Sequence, residues 1–280
     1  MGEITAAAVG KLRGMTNAGL MDCKKALTET GGDIDAAVDV LRKKGVASAA
    51  KKAGRSANEG VIAHYISPDS KSGILVEINC ETDFVAKNDT FREFCNEIAR
   101  TLVESPDADL EALRTAQVAK IGENIQFGRH TRMDVSGTGV IAAYIHTGAK
   151  VGVLVEVGSN SDENVAKEAF TSLVKDITLQ IAAANPVAVR RDEIDPAIVQ
   201  KEKEIAEEQA QGKPPQAIEK IVTGKLEKYY QNTCLEDQGF IRQNGDITVK
   251  QHLGNVGKEL GDEVVVRRFL RFQVGEEAQE

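Results

Sequence analysis

Four histidines and four cysteines are the side chains best suited here to act as bases, nucleophiles or metal ligands, and their spacing argues against all three roles. His64, His130, His146 and His252 stand apart from one another, and Cys23, Cys80, Cys95 and Cys234 form no CxxC pair. No two of the eight fall at the short separations that set ligands on one metal or a thiolate beside an imidazole. Ser136-Gly137-Thr138-Gly139 lacks the rest of a dinucleotide fingerprint, and no GxxxxGK[ST], HExxH or GxSxG occurs. The cysteines read as small hydrophobes in a reducing compartment. The chain reads as an interaction protein without cofactor, metal or catalytic chemistry of its own.

The usable chemistry is of another kind. Glu81-Thr82-Asp83-Phe84-Val85-Ala86-Lys87-Asn88-Asp89 joins a strand to a helix and is therefore expected at the surface. It sets an aromatic beside a carboxylate in a chain with 4% aromatic residues and no Trp. Such a Phe either folds back on the core or reaches something outside it. An internal repeat bears on the choice. Gly60-Val61-Ile62-Ala63-His64-Tyr65-Ile66 recurs as Gly139-Val140-Ile141-Ala142-Ala143-Tyr144-Ile145, and Gly73-Ile74-Leu75-Val76-Glu77-Ile78 as Gly152-Val153-Leu154-Val155-Glu156-Val157. Gly60 to Gly139 and Gly73 to Gly152 are both 79 residues apart, whereas Val85-Ala86-Lys87 and Val165-Ala166-Lys167 are 80 apart, which predicts one extra residue in the second copy. That copy reads Asn160-Ser161-Asp162-Glu163-Asn164. It keeps the Asp and has no aromatic, so Phe84 is not needed to close the unit and is read as facing a partner.

The elements that must position this segment follow from pattern. Val61 to Ile66 and Ile74 to Ile78 are β-branched runs separated by turn chemistry. Thr90-Phe91-Arg92-Glu93 is a candidate capping box opening a helix with Phe91, Phe94, Cys95, Ile98 and Leu102 on one face. The fold expected is α+β. Residues 1–45 make a small three-helix module, its third helix capped by Asp33 and ended at Gly45. Residues 46–59 make a basic linker in which Lys51, Lys52 and Arg55 follow Arg42, Lys43 and Lys44; it reads as solvated, the alternative being a patch that touches RNA or an acidic surface. Residues 60–138 and 139–194 are two core subdomains, each a β-hairpin with a helix, the first with a connecting helix near 107–119. Asp195-Pro196 opens an antiparallel helical hairpin over 195–235, broken at Gly212-Lys213-Pro214-Pro215. Residues 236–280 return to the core through a strand at 264–274.

The chain has 280 residues, a net charge of -8, 41% hydrophobic and 28% charged residues. Those proportions are ordinary for a globular protein. The negative total disfavours general binding to a phosphate backbone, and no stretch approaches the roughly 18 apolar residues of a membrane span. A cytoplasmic protein meeting neither membrane nor nucleic acid is expected.

The block Thr82-Asp83-Phe84-Val85-Ala86-Lys87-Asn88 closely resembles the signature of the elongation factor Ts family. So does Thr16-Asn17-Ala18-Gly19-Leu20-Met21-Asp22-Cys23-Lys24-Lys25-Ala26-Leu27. Lys120-Ile121-Gly122-Glu123-Asn124-Ile125, Gly212-Lys213-Pro214 and the closing Phe272-Gln273-Val274-Gly275-Glu276 also match, so the likeness spans essentially the whole chain in order. It implies a guanine-nucleotide exchange factor for elongation factor Tu, GDP-bound and nucleotide-free. It also implies a ubiquitin-associated-like N-terminal bundle, a two-part dimerisation core and a coiled-coil hairpin. By that resemblance Asp83 and Phe84, within Thr82 to Val85, would enter the GTPase domain beside its magnesium site, with Lys87 and Asn88 as further contacts. Arg13, Leu20 and Met21 match positions touching another edge of that domain, and His146 a contact to a different domain. Leu20 stands where the family often has Met, a volume-conserving exchange. Three other classes would read differently: a docking module acting through residues 1–50 alone, an RNA-binding accessory factor using Arg42 to Arg55, and an enzyme whose groups converge from distant positions.

Overall fold

The computed structural model describes residues 4–16, 18–105 and 107–276. Asn17, within the second family-like block, lies outside them. The chain forms two compact units. One holds the residues through Ala63, Val76–His130 and the chain from Val274; the other holds His64–Leu75 and Thr131–Gln273.

The first unit begins with α1 (Ala6–Thr16), α2 (Leu20–Glu29) and α3 (Ile34–Lys52). They close on a small core of Val9, Leu12, Cys23, Ala26, Leu27 and Ala37. Asp33 caps α3, its carboxylate accepting from the Ala36 amide at 3.0 Å. The helix does not stop at Gly45, as the glycine suggested, but runs on to Lys52. Gly45 is buried where α3 crosses α6 (Leu110–Ile121), with space for no more than a methyl group before Ala119. This packing, with the helix-favouring alanines that follow, offsets the roughly 1 kcal/mol that glycine costs a helix. The first half of the expected linker is therefore helix.

Two three-stranded antiparallel sheets carry the rest. The first has the order β1 (Glu59–Ile66), β2 (Ser72–Cys80), β3 (Ile125–Asp134). The second has the order β4 (Gly139–Ile145), β5 (Val151–Ser159), β6 (Val264–Gln273). In the second, Gly139 pairs with Gly158 and Ile145 with Gly152. A one-turn helix and a long helix follow each hairpin: α4 (Asp83–Ala86) and α5 (Asp89–Glu104), then α7 (Asp162–Val165) and α8 (Glu168–Ala184). Phe170, Leu173, Ile177 and Ile181 of α8 pack with Val153, Val155 and Val157 of β5. The fold is α+β, as expected.

The repeat is longer and more regular than the sequence suggested. From β2/β5 through the start of α5/α8 every element boundary recurs at an offset of 79, for example Ser72 to Val151 and Asp89 to Glu168. No residue is inserted: the Val-Ala-Lys match at 80 pairs residues that are not structurally equivalent. The α5 cap is also not the predicted box at Thr90. Asn88 caps it, accepting from the Phe91 amide at 3.3 Å. Beyond α8 the offset changes. The α6 and β3 pair recurs as α11 (Val249–Leu260) and β6, both shifted by 139, from Leu110 to Val249 and from Ile125 to Val264. Between them lie α9 (Pro196–Gln209) and α10 (Pro215–Thr233), the two arms of the helical hairpin. At its base Ala188, Ile194 and Cys234 pack with Val199, Tyr229 and Tyr230.

Candidate functional site

The connector that singled itself out folds as α4, a helix of one turn. So short a helix has almost no internal hydrogen bonding and takes its geometry from its ends. Thr82 is the N-cap, its hydroxyl accepting from the Val85 amide at 3.3 Å. Ala86 is buried and anchors the turn, while Nε of Arg92 on α5 donates to the Ala86 carbonyl at 3.1 Å. Asn88 then starts α5, which is held down by fully buried Phe91, Cys95 and Ile98. The turn thus leads straight into α5, whose apolar face is buried.

At the tip the aromatic ring does not fold back on the core. Phe84 is 81% exposed, the highest value among the large apolar side chains of the described residues. Leaving such a ring in water forgoes about 1.5–3 kcal/mol of burial that a partner surface would recover. Asp83 beside it is ion-paired with Lys87 one turn on, Oδ2 to Nζ 2.6 Å. That hydrogen bond holds the Asp83 carboxyl below its usual pKa, so it is ionised at neutral pH. Val85 is half-buried, and Lys87 and Asn88 are exposed.

A second carboxylate holds the turn from beneath. Glu123 accepts from the Glu81 amide at 3.1 Å, the Thr82 amide at 3.0 Å and the Thr82 hydroxyl at 2.7 Å. The Glu81 carboxylate in return accepts from the Asn124 amide at 2.6 Å and from Arg55 at 3.4 Å. The Asn124 side chain donates to the Arg55 carbonyl at 2.8 Å. Glu123 is delivered there because α6 ends at Gly122, whose φ of +87° turns the chain sharply. Cys80 adds a thiol contact to the Thr82 carbonyl at 3.2 Å. Glu81, Glu123 and Asn124 were missed as site residues. The signal available for them was the Lys120 to Ile125 block, noted as family-like and given no role.

The other predicted contacts sit elsewhere. Arg13 lies in the last turn of α1, and Leu20 and Met21 in the first turn of α2, both apolar side chains more than half exposed. Met15, near the end of α1, is 57% exposed. His146 is exposed in the β4–β5 turn, in the other compact unit, its Nδ1 3.0 Å from the Tyr144 hydroxyl. Among the described residues no group of three or more His, Cys, Asp or Glu is arranged to hold a metal ion. Nor is any helix among them long and apolar enough to cross a membrane.

Comparison with known proteins identifies a family. A family model described as "Elongation factor TS" matches residues 81–276, beginning at the Glu81 clamp and ending at Glu276. The chain is 45% identical to elongation factor Ts of Syntrophotalea carbinolica, covering 98% of this chain and 94% of that protein. It is 42% identical to that of Nitratidesulfovibrio vulgaris, over 98% and 97% of the two chains. It is 43% identical to that of Symbiobacterium thermophilum, over 99% and 93%. With a family model spanning most of its length and relatives similar from end to end, the chain belongs to the elongation factor Ts family.

Proposed function

We propose that this protein is the guanine-nucleotide exchange factor of elongation factor Tu in the cytoplasm, and that it works by inserting the Asp83-Phe84 tip beside the partner's magnesium and phosphate site. The observation that carries this is Phe84, four-fifths exposed on a turn held from beneath, in a chain of this family. Bound GDP leaves slowly because phosphate contacts and metal must be lost together. An exchange factor speeds release only by binding the disturbed site better than the intact one, and by linkage GDP must weaken the factor's binding in return. A ten-thousand-fold acceleration requires about 5.5 kcal/mol. One Phe supplies about 1.5–3 kcal/mol. The wedge therefore needs help: Asp83 to rearrange polar contacts, Thr82, Val85, Lys87 and Asn88 around it, and grip from Arg13, Leu20, Met21 and His146. Metal and nucleotide belong to the partner, and the factor itself turns over no substrate. The test is release of fluorescent GDP from elongation factor Tu, chased with unlabelled GDP, at substoichiometric amounts of this protein. Fast release of all the label is expected; unaccelerated release from an active partner would overturn the proposal.

A further inference from the structure

We infer that Glu123 is the positioning residue of the exchange tip: it touches no partner and acts by holding the N-cap of α4 so that Phe84 is presented in one orientation. The inference rests on the function proposed above. An exposed side chain has no packing of its own to orient it, so Phe84 takes its direction from its backbone. That backbone belongs to a four-residue helix, too short to be stable by itself. Buried Ala86, with the Arg92 bond to its carbonyl, fixes the far end; the near end is fixed by the cap, where Glu123 accepts three hydrogen bonds from two consecutive residues directly before Asp83. The Thr82 hydroxyl joins the two ends of the arrangement, donating to Glu123 Oε1 at 2.7 Å and accepting from the Val85 amide within α4.

The second copy shows what is specific to the first. Asp262, also directly after a left-handed capping glycine, Gly261, holds the equivalent loop. It accepts from the Ser159 hydroxyl, the Asn160 amide and the Asn164 side chain. A carboxylate from the end of the second helix is thus common to both copies. In the second it leaves Ser161, the cap of α7, paired instead with Ser159. Only in the first is the carboxylate aimed at the cap residue itself, and there the tip carries Phe84 where the other has exposed Glu163. A displacement on the order of 1 Å is enough to cost about a hundredfold when a group must meet its target in one geometry.

The test compares GDP-exchange kinetics of the full-length protein with Glu123→Ala and Glu123→Gln, each alone and with Phe84→Ala. Glu123→Ala is expected to lower kcat of exchange by about tenfold or more while changing KM for elongation factor Tu less than about threefold. Glu123→Gln keeps a carbonyl acceptor and is expected to fall between. In the Phe84→Ala background neither should lower kcat further, since the group being positioned is gone. Asp262→Asn, which disturbs the corresponding clamp of the second copy, should leave kcat unchanged. Should Glu123→Ala fail to fold, Glu123→Gln alone carries the test, and a fall in kcat with little change in KM, absent in the Phe84→Ala background, is expected of it. Unchanged kcat in Glu123→Ala, or an equal loss with and without Phe84, would overturn the inference. If the unmodified protein does not accelerate release, it is the proposed function that fails instead.

Discussion

Phe84 combines features that usually exclude one another: a large apolar ring, four-fifths in water, on a backbone tied at both ends. Because it makes little contact within its own chain, Phe84→Ala should change the free energy of unfolding by no more than about 0.5 kcal/mol, as read from a urea transition. Its neighbour Asp83 gives a pH prediction. The hydrogen bond from Lys87 lowers the Asp83 pKa, so the ionised form is favoured and is lost only as pH falls through that lowered value. Titration of Asp83 should therefore leave exchange flat between about pH 6 and 8. Lys87→Met should move the acid-side loss of activity to higher pH, a shift visible in a pH–rate profile. The exposure of Phe84 was legible because the repeat offered a second copy without the aromatic. The clamp beneath it was not. Glu123 lies about forty residues from Thr82, in a short segment after a helix end, where no periodicity says which way a carboxylate will turn.

At the scale of elements, α3 shows how packing overrides a local signal. Gly45 reads as a helix stop, yet it sits inside the helix and against α6. Gly45→Ala is expected to raise stability by about 0.5–1 kcal/mol, because the added methyl group only just meets Ala119 and the helix gains propensity. Gly45→Leu should lower it by about 1–3 kcal/mol by forcing α3 and α6 apart. Thermal or urea unfolding of the two variants separates these signs. The missed α11 is the converse case. Its Gly254 and Gly257 dilute the apolar pattern, although Thr248 and Gln251 form a full capping box at its start, with Thr248 accepting from the Gln251 amide at 3.2 Å. Strands, hairpins and the long helices were legible from β-branched runs and helical spacing. The cap at Asn88 and the one-turn helices were not, since both depend on side chains meeting backbone groups that pattern does not register.

Across the whole molecule the repeat explains two buried carboxylates. Glu156 on β5 accepts from the Ser136 amide at 2.6 Å and pairs with Arg268 at 2.7 Å and Arg267 at 3.0 Å. Glu77 on β2 accepts from the Gly275 amide at 3.0 Å and pairs with Arg129 at 3.2 Å. Ser136 and Gly275 are 139 residues apart, each two residues past the end of the third strand of its sheet. The hairpin glutamate of each copy thus holds the chain leaving the third strand of the other copy's sheet, which gives a structural role to the closing Phe272 to Glu276 block. Burial raises the Glu156 pKa, but the Ser136 amide and the two arginines outweigh it and hold the carboxyl below its usual value. Glu156→Ala takes a buried acceptor away from the Ser136 amide and from two partly exposed arginines and should destabilise the protein by about 1–3 kcal/mol, measurable as a lower urea midpoint. None of the four cysteines is in a disulfide and all are buried, and burial pushes the Cys95 thiol pKa up, so alkylation under native conditions should label none of them at the rate of an exposed thiol.

The most direct measurement is the kcat and KM of GDP exchange on elongation factor Tu for the unmodified protein and for Phe84→Ala, with affinity for the nucleotide-free partner measured in parallel. A tip that drives nucleotide out predicts a fall in kcat of roughly 10- to 100-fold, with a much smaller change in affinity. An equal loss in both would make Phe84 an anchor rather than a wedge, and an unchanged kcat would contradict the central role given to it here.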